Sequence, residues 1–511
     1  MGLITPYWGL DGLIIFTSLL VAAYMYMTRK FKYWSKRGVM EVPPTPFFGN
    51  FSQCFTQRKA AAEFLKDMYS LAKGLPCMGF YIFDKPALLI RDPEFVKQVL
   101  VKDFEVFYDR YATSDVSDSI GYANVFQLKN PIWKTIRARL TPIFTTGKLK
   151  RMFEQMAFVA DDLNNHLESL NLKTPKAIDI KELCASFTTD VIGSTAYGVR
   201  VNSLQDPKAP FRAAGRQIHA LTFYRGMEFL IIYFMPHWSK YVKTKFFGKE
   251  FSDFLRSVFW DVVNQRIQSG VKRDDLIDLL IDMKNRHEKE GDLGGLNFSG
   301  DDLVAQAAIF FSAGFETSST TISFTLYELA VQRDVQTTLR KEIQEALAKT
   351  DGKISYEMIT TLPYLDMVVS ETLRKYPPLA FLDRICNQNY KVPNSDLVIE
   401  KGTPIFIPML GLHYDPEFYP DPDKYDPLRF TDENKKNRPN FSYLPFGDGP
   451  RGCIGLRLGL MQSKLGIFQV IRRFEVTPCE KTKIPMPMDP RGLTTTALGG
   501  MYLNIQKISE V

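Results

Sequence analysis

The sequence contains no CxxC pair, no HExxH, no block of like charge and no repeat of fixed period. Its six cysteines (Cys54, Cys77, Cys184, Cys386, Cys453, Cys479) are too scattered for a disulfide framework or a zinc site, and they fit a reducing, cytosol-facing compartment. The five histidines never fall at metal-binding spacing, so each is read as a surface or packing residue. The net charge of +7 is spread along the chain, which argues against nucleic acid as a partner. What the chain has in quantity is apolar mass. Hydrophobic residues make up 45% of 511 positions, with 39 Phe and 23 Tyr, enough for a deep, dry interior.

One apolar run is different in kind. WGLDGLIIFTSLLVAAYMYM, Trp8 to Met27, is long enough as a helix to cross a hydrocarbon core of roughly 30 Å. Arg29, Lys30, Lys32, Lys36 and Arg37 follow it and place the body on the cytosolic side. Pro43, Pro44 and Pro46 then end any helix, which suggests a stiff, extended spacer. The chain divides on this reading into an anchor (1–28), a basic stop-transfer and proline-rich hinge (29–50) and a body (51–511).

Apolar residues at three and four spacing predict helices over much of residues 60–350. MGFYIFDKPALLIRD and PIFIPML read as strands of a small sheet. After residue 376 prolines and glycines make the chain loop-rich until a last helix begins near Cys453. The segment SGDDLVAQAAIFFSAGFETSSTTISFTLYELAV predicts a core helix of about 45 Å, with Ser299 as cap and Asp302 three residues on. Its apolar middle carries Gly314, Glu316, Thr317 and further hydroxyls. These either bond back to carbonyls one turn earlier or do chemistry.

FGDGPRGCIG, Phe446 to Gly455, sets one cysteine among four glycines, just before a helical pattern. Free N–H groups and the helix dipole there favour a thiolate, and Gly447, Gly449, Gly452 and Gly455 let a flat partner lie close. Phe446, Gly449, Arg451, Cys453 and Gly455 form FxxGxRxCxG, which resembles the haem-binding signature of the cytochrome P-450 superfamily. The resemblance implies haem b, with Cys453 as the axial thiolate ligand of its iron.

Other segments resemble the same family in chain order. AGFET (Ala313 to Thr317) looks like its oxygen-activation segment, which implies that Gly314 leaves room for dioxygen while Glu316 and Thr317 deliver protons. ETLR resembles its ExxR. Glu371 and Arg374 would be locked together with Arg429 of DPLRF, where Leu428 departs from some relatives without touching the arginine. WKTIR puts Trp133 and Arg137 on one helical face, where both reach one carboxylate; by resemblance they bind a haem propionate, joined by Arg451, Arg384 and Arg110.

The resemblance spans the whole chain and is finest with the insect family-six microsomal enzymes, through TTDVIGSTAYG and LPYLDMVVSETLRKYPP. It implies a mainly α fold, a triangular helical body with a small sheet-rich lobe. It also implies a monooxygenase of the endoplasmic reticulum membrane that takes NADPH electrons from cytochrome P-450 reductase, a carrier of FAD and FMN, or from cytochrome b5. Hydrophobic substrates, foreign compounds above all, would meet Phe107, Phe126, Phe310, Phe311, Phe381, Leu382 and Thr496. Phe223 to Trp238 would dip into the bilayer, and Lys134, Lys148, Lys150, Arg151, Lys435 and Lys436 would form a basic docking face. Two rival readings are a reductase-independent, peroxide-rearranging isomerase and a non-catalytic haem sensor. The intact AGFET counts against both.

Overall fold

A computed structural model describes residues 4–218, 220–290, 298 and 300–508. Helices dominate, and three small sheets sit at the margins of the helical body. The strands are β1 (Cys77–Ile82), β2 (Lys85–Ile90), β3 (Lys176–Asp179), β4 (Leu382–Ile385), β5 (Tyr390–Lys391), β6 (Val398–Ile399), β7 (Pro404–Ile407), β8 (Phe474–Pro478) and β9 (Tyr502–Lys507). The largest sheet runs β1-β2-β7-β4. It is antiparallel except where β2 meets β7 in parallel, with Leu88 opposite Ile405. The sheet sequences are Val, Ile, Leu and Phe rich, and β1 is buried at every position, as a strand covered on both faces must be. β3-β9-β8 and β5-β6 form the two smaller sheets.

The apolar N-terminal run forms a helix, Trp8–Thr28, long and apolar enough to span a membrane and 6% buried over its apolar window. The hinge is no free spacer. Trp34 is fully buried, Glu41 bridges to Gly79 and Gly49 to Ile82, so residues 34–50 lie along the edge of β1 and fix where the N-terminal helix leaves the body. Gly79 explains the fit, because a Cβ there would lie 2.2 Å from the Trp34 ring.

The helix Asp301–Val331 runs through the core, buried along most of its length. Residue 299, expected as its cap, lies outside the described residues; Asp301 and Asp302 occupy the first turn, where the helix dipole favours acids. It packs mainly on Ile180–Ile192 and Leu456–Ile471. Several of its hydroxyls are satisfied within the helix. Thr317, Thr321, Ser323 and Thr325 donate to carbonyls four residues back, at 2.7, 2.9, 2.6 and 2.8 Å. Thus the polar stretch costs little to bury.

Candidate active site

Cys453 stands three residues before the helix Leu456–Ile471, in a loop closed by its own N–H donating to the Phe446 carbonyl at 2.8 Å. The loop needs its glycines for particular reasons. Gly447 and Gly449 have φ of 66° and 70°, and a Cβ on Gly449 would lie 2.0 Å from the Leu100 carbonyl oxygen. The sulfur opens onto an internal cavity of about 250 Å³ between this loop and the middle of the central helix. Burial pushes the Cys453 thiol up, while the Gly455 N–H and the charges of Arg137 and Arg110 pull against that shift without reversing it. Desolvation wins here, and a bound metal ion is what would take the proton's place.

One side of the cavity is cationic. Arg110 Nη1 pairs with Asp383 Oδ1 at 3.3 Å, and Arg451 Nη2 with Asp109 Oδ1 at 3.1 Å. Arg451 also lies 3.9 Å above the centroid of the Trp133 ring and donates to the carbonyls of Tyr108 and Leu128. Arg384 is buried beside them, its Nη1 on the Asp383 carbonyl at 2.7 Å, and Lys129 donates to the Ala112 carbonyl at 2.9 Å. Four cations thus share two carboxylates. Burial followed by mutual repulsion lowers Arg451 to about 8 and Arg384 to about 9, while burial alone leads the fall of Lys129 to about 8. Arg451 Nη1 and Arg384 Nε are buried with no protein partner. Two unbalanced positive charges and two orphaned N–H donors fit a flat cofactor bearing two carboxylates, and the sulfur fits its metal: these residues could hold haem.

Arg137 lines the same cavity. Its Nη2 donates 2.9 Å to the Gly452 carbonyl and so braces the cysteine loop.

Behind the loop, Glu371 and Arg374 are fully buried and forked, with Arg374 Nε and Nη2 at 2.7 and 2.8 Å from the two carboxylate oxygens. Arg429 Nε lies 3.5 Å from Glu371 Oε1, and the Asp426 N–H donates to that oxygen at 2.9 Å. The three residues are brought together as the resemblance implied.

The oxygen-side reading needs one correction, at Glu316. Ala313, Gly314 and Thr317 line the cavity, but a Cβ on Gly314 would meet Ile192 Cδ1 at 2.3 Å, so this glycine accommodates a neighbouring helix. Glu316 faces the other way. Its Oε1 accepts from Lys181 Nζ at 2.9 Å and from Thr494 Oγ1 at 3.3 Å. The packing of this helix turns Ala313, Gly314 and Thr317 to the cavity and Glu316 away from it. The same geometry separates Phe310, which lines the cavity and stacks on Phe144, from Phe311, buried in a cluster with Tyr197, Phe211, Phe251 and Phe315.

Of the other expected substrate contacts, Phe126 and Leu382 line this cavity. Phe107 does not; it is fully buried against Tyr390. Phe381 and Thr496 line a second, larger cavity of about 570 Å³. The two spaces share a wall, with Leu379 and Leu382 on the cysteine side and Ala380 and Phe381 on the other.

Residues that sequence reading missed include Asp109, Asp383, Lys129, His413 and Gln462. A signal for two was present: Asp109–Arg110 and Asp383–Arg384 are matching dipeptides, and Arg110 of one pairs with Asp383 of the other. Gln462 Nε2 donates to the Gly314 carbonyl at 2.6 Å and ties the cysteine helix to the central one.

Outside the site, Lys150, Arg151 and Lys435 of the expected docking face are engaged by Glu357, Asp274 and Asp366. In the segment expected to enter the bilayer, Phe229 is buried while Phe223, Tyr224 and Trp238 are exposed, so Phe229 does not serve as a membrane contact.

A family model described as Cytochrome P450 matches residues 40–504. The chain is 46% identical to cytochrome P450 6k1 of Blattella germanica, over 97% of each chain. It is 42% identical to cytochrome P450 6j1 of the same insect, again over 97% of each, and 41% identical to probable cytochrome P450 6g2 of Drosophila melanogaster, over 96% of this chain and 98% of that one.

Proposed function

The chain belongs to the cytochrome P450 family and is a monooxygenase related to the insect family-six enzymes; from that premise we propose that it oxidises hydrophobic foreign compounds at the endoplasmic reticulum membrane. Its electrons come from NADPH through a flavoprotein reductase carrying FAD and FMN, with cytochrome b5 as a second donor. The observation that carries the reading is the pairing of a cavity-facing Cys453 with a surplus of two buried cations.

Haem, when bound, supplies the activation of dioxygen, and the push from a thiolate ligand favours O–O cleavage. The chain's own residues do the rest. Cys453 provides the ligand, and the Gly455 N–H donates toward its sulfur. Arg110, Arg384 and Arg451 hold the cofactor's carboxylates, while Arg137 fixes the loop at Gly452. Trp133 supports Arg451 from beneath by a cation–π contact. Glu371, Arg374 and Arg429 lock the segment beneath the loop.

The Thr317 hydroxyl donates to the Ala313 carbonyl, which leaves its oxygen lone pairs to accept from a water in the cavity. It holds a proton donor at that spot. Phe126, Phe310, Leu379 and Leu382 exclude bulk water and favour an apolar substrate. The cavity beyond, lined by Phe381 and Thr496, offers room for a substrate on its way in. Trp8–Thr28 anchors the protein with its body in the cytosol.

The test is reconstitution of the full-length protein with reductase in phospholipid and a panel of alkoxycoumarins. NADPH- and dioxygen-dependent product is expected, and none from Cys453→Ser. Product formed without NADPH would favour the rearranging isomerase instead.

A further inference from the structure

We propose that His413 is a positioning residue for the cysteine loop, the strap through which the buried Glu371–Arg374 pair holds Cys453 in place; this rests on the haem-thiolate reading above. His413 is fully buried and stacked at 29° on the Tyr443 ring. Its backbone and side chain both engage Arg374. Arg374 Nη1 donates to the His413 carbonyl at 2.8 Å, and His413 Nδ1 lies 3.1 Å from the Arg374 carbonyl. On its other edge Nε2 lies 2.9 Å from the Leu444 N–H.

These partners fix the tautomer. A carbonyl oxygen only accepts, so Nδ1 must carry the hydrogen; an N–H only donates, so Nε2 must offer its lone pair. From Leu444 the path is short. The Gly447 N–H donates to the Leu444 carbonyl at 2.9 Å, and the Cys453 N–H to the Phe446 carbonyl at 2.8 Å. Among the described residues, the imidazole is therefore the side chain that joins the arginine of the charged pair to Leu444, two residues before the cysteine loop. Outer partners of this kind orient a metal ligand without touching the metal. Phenylalanine would fill the same space and keep the stack, but it would leave the Leu444 N–H and the Arg374 carbonyl unpaired at depth.

The test uses the full-length, haem-loaded protein and three variants: His413→Phe, His413→Gln and, as a control for packing loss alone, the fully buried neighbour Leu412→Ala. Two readouts are taken. One is hydrogen exchange of the peptide holding Leu444 to Cys453; the other is the rate in mild urea at which the ferrous carbon monoxide spectrum loses its thiolate form. In His413→Phe both should rise about tenfold. Leu412→Ala should lower the melting temperature without moving either, and His413→Gln, which keeps a donor and an acceptor, should recover part of the loss. Should His413→Phe fail to fold, His413→Asn, too short to serve both partners, replaces it under the same criteria. If the His413 variant moves neither readout more than Leu412→Ala does, the strap is refuted. A wild-type protein without a thiolate spectrum would instead refute the haem-thiolate reading on which the strap depends.

Discussion

At the scale of single residues, the site is governed by what each group meets on burial. Glu371 and Arg374 have no access to water, so Glu371→Ala leaves an uncompensated guanidinium and should cost about 3–5 kcal/mol. Thermal unfolding of the two proteins and their haem content would check it. Gly314 makes a sharper case. Gly314→Ala should destabilise by about 1–3 kcal/mol through collision with Ile192, and the same change should cost little when made in an Ile192→Ala background. Were the glycine there only for dioxygen, the background would make no difference. The meeting of Glu371, Arg374 and Arg429 was expected from the family resemblance and from the ETLR spacing of the first two. His413 was not. Its importance comes from being enclosed between Arg374 and Leu444, distant in the chain, and no spacing within its own segment shows that.

At the scale of elements, two helices explain most of what sequence reading placed wrongly. Polar composition identified the middle of Asp301–Val331 as unusual, but only the packing against Ile180–Ile192 decides which side chains reach the cavity. Glu316 goes to Lys181 and Thr317 to the slot. We expect Thr317→Ala to divert electrons to hydrogen peroxide while Glu316→Gln chiefly lowers the melting temperature. Measuring peroxide released per NADPH consumed separates the two, and equal uncoupling in both variants would contradict this division of labour. The short helix Met409–His413 sets a pH limit. Burial, followed by the Arg374 and Arg438 charges, lowers His413 from 6.5 to about 3, so its folded imidazole stays neutral. The unfolded chain takes up that proton below pH 6.5. Stability is therefore full above 6.5 and falls by up to about tenfold in the folded-to-unfolded ratio per pH unit down to about 3. Unfolding midpoints in urea between pH 7 and 5 should show a shallower fall in His413→Gln than in wild type.

At the scale of the molecule, the sequence announced a long apolar N-terminal helix and a helical body, and both follow from apolar runs and periodicities that tertiary context does not disturb. The hinge was misread because prolines specify extension but not what the extended chain lies against. Trp34 docks into the notch left by Gly79. The basic face is also smaller than composition suggests, since Lys150, Arg151 and Lys435 have partners within the chain. Charge reversal at Lys134 and Lys148 should therefore slow reductase-dependent reduction and flatten its salt dependence more than reversal at Lys150 and Arg151. Stopped-flow reduction over a range of ionic strength would rank the four.

The central claim is that Cys453 ligates haem through its sulfur. The most direct measurement is the carbon monoxide difference spectrum of the reduced, full-length protein beside Cys453→Ser. A red-shifted Soret band of the thiolate type in wild type, absent from the variant, is the predicted result. The same thiolate band surviving in Cys453→Ser, or a wild-type protein that binds no haem, would contradict it.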